Sequence, residues 1–142
     1  MIAIDTNLLV YAHRAATPEH RSARAAIERA AGRRGGFAIT VPSVAEFMSI
    51  VTHPLASGRA SSPAEAAAFL RALEEGGMRT LGPGPAFAAR FLQTAVDLAV
   101  GGPRVFDLQI ALCALDGGAT ELWTHDARFV RVPGLIIHDP LA

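Results

Sequence analysis

Short apolar runs alternate along this chain with longer stretches whose apolar residues recur every three or four positions, and Gly or Pro marks most junctions. Met1–Ile4 is apolar on both faces, as in a central strand of a parallel sheet. It stops at Asp5, and Thr6–Ala12 continues with helical spacing. Thr17-Pro18-Glu19 opens a second helix running to about Ala31, and Phe37–Thr40 reads as a second strand. Ser43 starts a third helix that His53-Pro54 ends, Ser57–Ser62 is a loop, and Pro63–Glu75 is helical. Beyond Gly76-Gly77 the pattern predicts a strand at Met78–Leu81, then helices over Ala86–Val100 and Asp107–Leu115. A strand at Glu121–Thr124, a helical turn at Asp126–Val130 and a strand at Leu135–His138 complete the series. Strands alternating with helices imply an α/β chain, a mostly parallel central β-sheet flanked by helices, in a single domain spanning 1–142.

That architecture sorts the acidic residues. In such sheets ligands gather at the carboxyl ends of the strands, where the helices leading to the next strand also begin. Asp5 ends the first strand, Glu46 sits in the first turn of the third helix, Asp107 opens a later helix, and Asp126 lies two residues beyond the fourth strand. Topology alone thus brings four acids from distant segments to one edge. Each also has a local use. Asp5 can cap the helix behind it, Ser43-Val44-Ala45-Glu46 has capping-box spacing, Asp107 suits a helix N-terminus, and Asp126 can cap a turn. Capping does not require convergence, however. Four adjacent carboxylates raise one another's pKa unless a cation intervenes, and an all-oxygen set suits a hard divalent ion such as Mg2+ or Mn2+.

Composition narrows the chemistry. The charges balance at 13 basic and 13 acidic residues, so no global field draws the chain to nucleic acid. Every basic residue is Arg. Without Lys there is no P-loop and no Schiff base, and phosphate contacts must come from guanidinium groups. Arg14 and Arg104 are the candidates, the first a helix beyond Asp5 and the second just before Asp107. Arg21, Arg24, Arg29, Arg33 and Arg34 project all around a helix, as a solvated surface would. The lone Cys113, no apolar run of membrane length and no signal-peptide pattern lead to the expectation of a reduced, cytoplasmic, non-membrane protein. His13, His20, His53 and His138 lack zinc-ligand spacing with Cys113. His125 adjoins Asp126 and reads as substrate-facing or incidental, and Trp123 as core.

Asp5-Thr6-Asn7, Glu46, Asp107-Leu108-Gln109-Ile110-Ala111, and Leu122-Trp123-Thr124-His125-Asp126-Ala127-Arg128-Phe129 together resemble the PIN-domain nucleases. The small size, Val132-Pro133-Gly134-Leu135 and Asp139-Pro140-Leu141 are similar to the VapC toxins of bacterial toxin–antitoxin pairs. The resemblance spans nearly the whole chain, and Leu108 stands where the family often has Ala. It implies a PIN-like three-layer fold and metal-dependent hydrolysis of RNA phosphodiester bonds, with Asp5, Glu46, Asp107 and Asp126 as catalytic acids. Asp5, Asp107 and Asp126 would hold Mg2+ or Mn2+, while Thr6, Asn7 and Thr124 would orient carboxylates or water. It further implies a VapB-like antitoxin covering the site and a homodimer. Two rival readings stay open from the residues alone: an acidic pocket that docks an Arg-bearing partner without chemistry, and a metal-dependent phosphatase.

Overall fold

The computed structural model describes residues 1–54 and 59–142. Five strands form one sheet: β1 (Ile2–Ile4), β2 (Phe37–Thr40), β3 (Arg79–Leu81), β4 (Glu121–Trp123) and β5 (Ile136–His138). The helices are α1 (Thr6–His13), α2 (His20–Ala31), α3 (Val41–Thr52), α4 (Pro63–Glu75), α5 (Phe87–Asp97) and α6 (Arg104–Asp116). Strand order is β3-β2-β1-β4-β5, and every neighbouring pair is parallel. The order runs outward from β1 in both directions, so the switch point of the topology falls between β1 and β4, where parallel sheets bind their ligands.

Helices cover both faces. On one, Ile2, Ile4, Phe37 and Ile39 pack with Leu8, Leu9, Ala23, Ile27, Phe47 and Leu70 of α1 to α4. On the other, the small side chains of Ala3 and Ala38 leave room for α6 to come close through Leu108, Ala111 and Leu112. This explains why α6 contributes more buried residues than any other helix described despite lacking a one-sided apolar stripe. Gly117, just past its end, is required by the same closeness: a Cβ there would stand 2.7 Å from Leu81 Cβ. Trp123 is buried in the first cluster, as expected.

Several boundaries differ from the sequence expectations. The second helix starts at His20, because residues 15–19 turn before it. The third starts at Val41, where Thr40 is the N-cap, its hydroxyl accepting from the Ser43 N–H, and Pro42 occupies the first turn. Ser43 with Glu46 is therefore not a capping box; that device belongs to Ser62 and Glu65 at α4. The helix carrying Asp107 begins a turn earlier, at Arg104. The fifth helix is shorter than its apolar pattern at both ends, since Ala86 and Ala99 take left-handed backbone at φ 58° and 52°. Residues 126–130 form no helical turn; an i to i+3 bond from Phe129 N–H to Asp126 C=O closes a single reverse turn. Residues 57 and 58 of the expected Ser57–Ser62 loop lie outside the described residues.

Candidate active site

Asp5 follows β1 at the switch point, its own N–H bonded to the Trp123 carbonyl of β4 at 3.0 Å. It is the N-cap of α1 and only 7% exposed. Its Oδ1 accepts from the Thr6 N–H at 2.8 Å and its Oδ2 from the Thr124 hydroxyl at 2.7 Å. Thr124 Oγ1 also accepts from Asn7 Nδ2 and from the Asp126 N–H, both at 3.1 Å, so this one hydroxyl uses its donor and both acceptor positions. Asn7 Oδ1 in turn accepts from the His125 N–H at 3.4 Å. Three linked hydrogen bonds, Thr124 to Asp5, Asn7 to Thr124 and the His125 N–H to Asn7, thus bolt the start of α1 to the loop after β4. Thr6 is itself buried, and its hydroxyl has no hydrogen-bond partner among the described residues.

These bonds favour the ionised carboxylate, yet burial outweighs them. Asp5 is pushed up to about 6, chiefly by desolvation, with Glu46 and Asp107 adding repulsion. Asp107 is also raised, first by burial, then by Asp126 and Glu46, and is partly relieved by Arg104 at 3.5 Å. The four acids picked from sequence therefore do share one electrostatic field. Among the described residues, no cation pairs with Asp5.

Glu46 stands in the second turn of α3 rather than the first, half-buried beside Phe106, Gln109 and Ile110 of α6. Asp107 and Asp126 face each other across a pocket completed by Pro103, Arg104 and Arg128. Asp126 Oδ1 accepts from the Arg128 N–H at 2.9 Å, which holds Arg128 at the rim. Arg104 is thus at the pocket. Arg14 is elsewhere: at the far end of α1 it donates to the carbonyls of Val51 and Arg59. Among the described residues, no three His, Cys, Asp or Glu side chains stand as a ready-made cage for a metal ion.

His125, Tyr11 and Asp139 line the same edge. His125 Nδ1 bonds both oxygens of Asp139, at 2.9 and 3.1 Å, and its ring meets Tyr11 edge-on at 6.2 Å. Sequence reasoning passed over Arg128, Tyr11 and the role of Asp139. Only the last left a signal: a carboxylate directly after β5. Because β5 pairs with β4 in register Trp123 to His138, the residues leaving both strands emerge together.

A model of the PIN domain matches residues 2–135. VapC ribonuclease Mb2897 of Mycobacterium bovis is 34% identical over 143 residues, covering 99% of this chain and 96% of that protein. Among solved structures, VapBC2 from Rickettsia felis, bound to a DNA fragment from its promoter, superposes with a TM-score of 0.70 at 21% identity, covering 98% of each chain. VapC20 of Mycobacterium tuberculosis, a sarcin-ricin loop cleaving toxin, superposes at 0.67 with 12% identity, over 91% of this chain and 92% of its own.

Proposed function

We propose, for a chain that belongs to the PIN-domain family, that it is a metal-dependent endoribonuclease acting as the toxin of a VapBC-type pair. One observation carries this reading: a buried carboxylate, Asp5, whose pKa is lifted to about 6 among other acids that offer it no counter-charge. The donor set is all carboxylate oxygen, which fits Mg2+ and also Mn2+. Asp5, Asp107 and Asp126 would hold the ion, Asp107 exchanging Arg104 for it, and Glu46 would complete the pocket. When bound, the ion supplies a water of lowered pKa and shields charge on the phosphate.

The chain's own residues do the positioning. Thr124 and the Thr6 N–H fix both oxygens of Asp5, and Asn7 fixes Thr124. Thr6, the residue after Asp5, also carries a buried hydroxyl with no hydrogen-bond partner among the described residues. Arg104 and Arg128 at the rim would hold the RNA backbone, since guanidinium groups suit phosphate.

Purified protein is expected to cleave RNA with Mg2+ or Mn2+ and to stop with EDTA. Cleavage that survives Asp5→Asn combined with Asp107→Asn would overturn the metal assignment.

We also assign it a VapB-like antitoxin that covers the acidic pocket, in line with the relatives named above, and a homodimer. For the dimer, α5 offers a face with no buried residue. Leu92 and Val96 are exposed on α5, Leu92 beside Phe106 of α6, and among the described residues no charged side chain lines the pocket these two share. Leu92→Glu is expected to turn a dimer into a monomer in light scattering. No helix among the described residues is long and apolar enough to cross a membrane.

A further inference from the structure

His125 is fixed more firmly than an incidental surface side chain needs to be. Its backbone N–H is tied to Asn7 Oδ1, its Nδ1 to both oxygens of Asp139, and its ring edge to Tyr11. Asp139 is fixed in turn, since its Oδ1 accepts from the Leu141 N–H at 2.9 Å and Leu141 packs against the core. The neighbouring Pro140 carbonyl accepts from Arg29 of α2 at 3.1 Å. Yet the imidazole stays 35% exposed, between Thr124, which holds Asp5, and Asp126 at the pocket. A carboxylate on Nδ1 sets the tautomer and leaves Nε2 as the ring's remaining polar atom. A rigid, partly exposed acceptor at this edge costs little further ordering when a ligand meets it.

We propose that His125 contacts the RNA nucleotide flanking the scissile phosphate, with Nε2 accepting a hydrogen bond from that nucleotide, and that Asp139 is the residue that positions it. The inference rests on the RNA-cleaving reading above. The donor is a ribose 2′-hydroxyl or an exocyclic amino group, the groups by which single-stranded RNA is told apart. Asp139 does not touch substrate; it acts through the imidazole.

The test uses the full chain, a short fluorescein-labelled RNA hairpin with one mapped cleavage site, steady-state kinetics in Mg2+, and anisotropy binding in EDTA. Asparagine can keep a bond to Asp139 in the manner of Nδ1 but has nothing at the position of Nε2. His125→Asn is therefore expected to raise KM and the dissociation constant about tenfold, the worth of one hydrogen bond, with kcat within about twofold and Tm unchanged. His125→Ala should match it. Asp139→Asn, which keeps an acceptor for Nδ1, should stay near wild type, whereas Asp139→Ala should raise KM and add nothing further in combination with His125→Ala. Hairpins carrying a 2′-deoxyribose, or inosine for guanosine, at the flanking position then separate the two donors, since only the missing donor removes the difference between wild type and His125→Asn. His125→Asn cleaving and binding like wild type overturns the proposal, as does a difference that neither hairpin removes. A wild-type protein that cleaves no RNA overturns the ribonuclease reading instead.

Discussion

Asp5 and Asp116 are both sheltered carboxylates, and the protein treats them in opposite ways. Asp116, the last residue of α6, receives Arg90 through both oxygens, at 2.6 and 3.1 Å, together with the Gly84 N–H at 2.7 Å. The Arg90 hydrogen bond is the main reason its pKa is held low. Asp5 also accepts two hydrogen bonds, but none from a guanidinium among the described residues, and burial lifts it to about 6. The same α6 joins the two regimes: Asp107 in its first turn belongs to the acidic group, and Asp116, nine residues on, is about 13 Å away along the axis. Where a negative charge serves only the fold, the chain brings its own cation. Asp5 has no such partner among the described residues, and on the proposed function an external cation would take that place.

The contrast can be broken at several points. The largest expected effect is on chemistry: Asp5→Asn with Asp107→Asn should lower RNA cleavage by about 10³-fold, the rate equivalent of the several kcal/mol of charge stabilisation a bound ion supplies. Gel-based initial rates would check it. Next comes a pH signature of stability without metal. Asp5 has its pKa raised by folding, so the folded state binds its proton more tightly than the unfolded chain. Its contribution is fully present below about 4, and stability is lost as pH rises through about 6. The loss is on the order of 3 kcal/mol by neutrality. Asp116 runs the other way: its lowered pKa stabilises the fold at neutral pH, and that benefit fades as pH falls. Urea melts from pH 2 to 8 should show Asp5→Asn flattening the loss on the alkaline side and Asp116→Asn flattening the loss below about pH 4.

A smaller effect sharpens the picture at Thr124. Thr124→Val removes the hydroxyl that donates to Asp5 and accepts from Asn7 and the Asp126 N–H. Cleavage should fall about tenfold, in line with one charge-assisted hydrogen bond, while Thr124→Ser restores most of it. Smallest of all is the expected change in activity on Asp116→Asn. It should lower Tm, measured by calorimetry, and leave kcat within about twofold.

The convergence of the acids was legible because strand ends are written in the sequence. An all-apolar run cut off by Asp5, and another followed by Thr124 and Asp126, mark the carboxyl edge without any knowledge of packing. Cap positions were less legible, because Thr40-Val41-Pro42-Ser43 offers two cap residues and only the path out of β2 selects Thr40 over Ser43. Asp126 to Val130 looked helical because Asp, Ala and Arg suit a helix start. The Asp126 side chain instead bonds the Arg128 N–H, the local competition that favours turns. The link between His125 and Asp139 was half legible: a carboxylate directly after β5 marks the edge, but its meeting with His125 depends on β5 pairing beside β4. Arg14 was placed by proximity in sequence to Asp5. The length of α1 carries it to carbonyls at the other end of the helix.

Thermal unfolding of wild type and Asp5→Asn at pH 7.5, with and without millimolar Mn2+, tests the central claim most directly. The metal should raise the Tm of wild type by several degrees, less so towards pH 5 as protons compete for the carboxylates. Asp5→Asn should start at or above the metal-free wild type and gain little. Equal gains in both proteins, or none in either, would contradict the claim that Asp5 is held uncompensated to receive a cation.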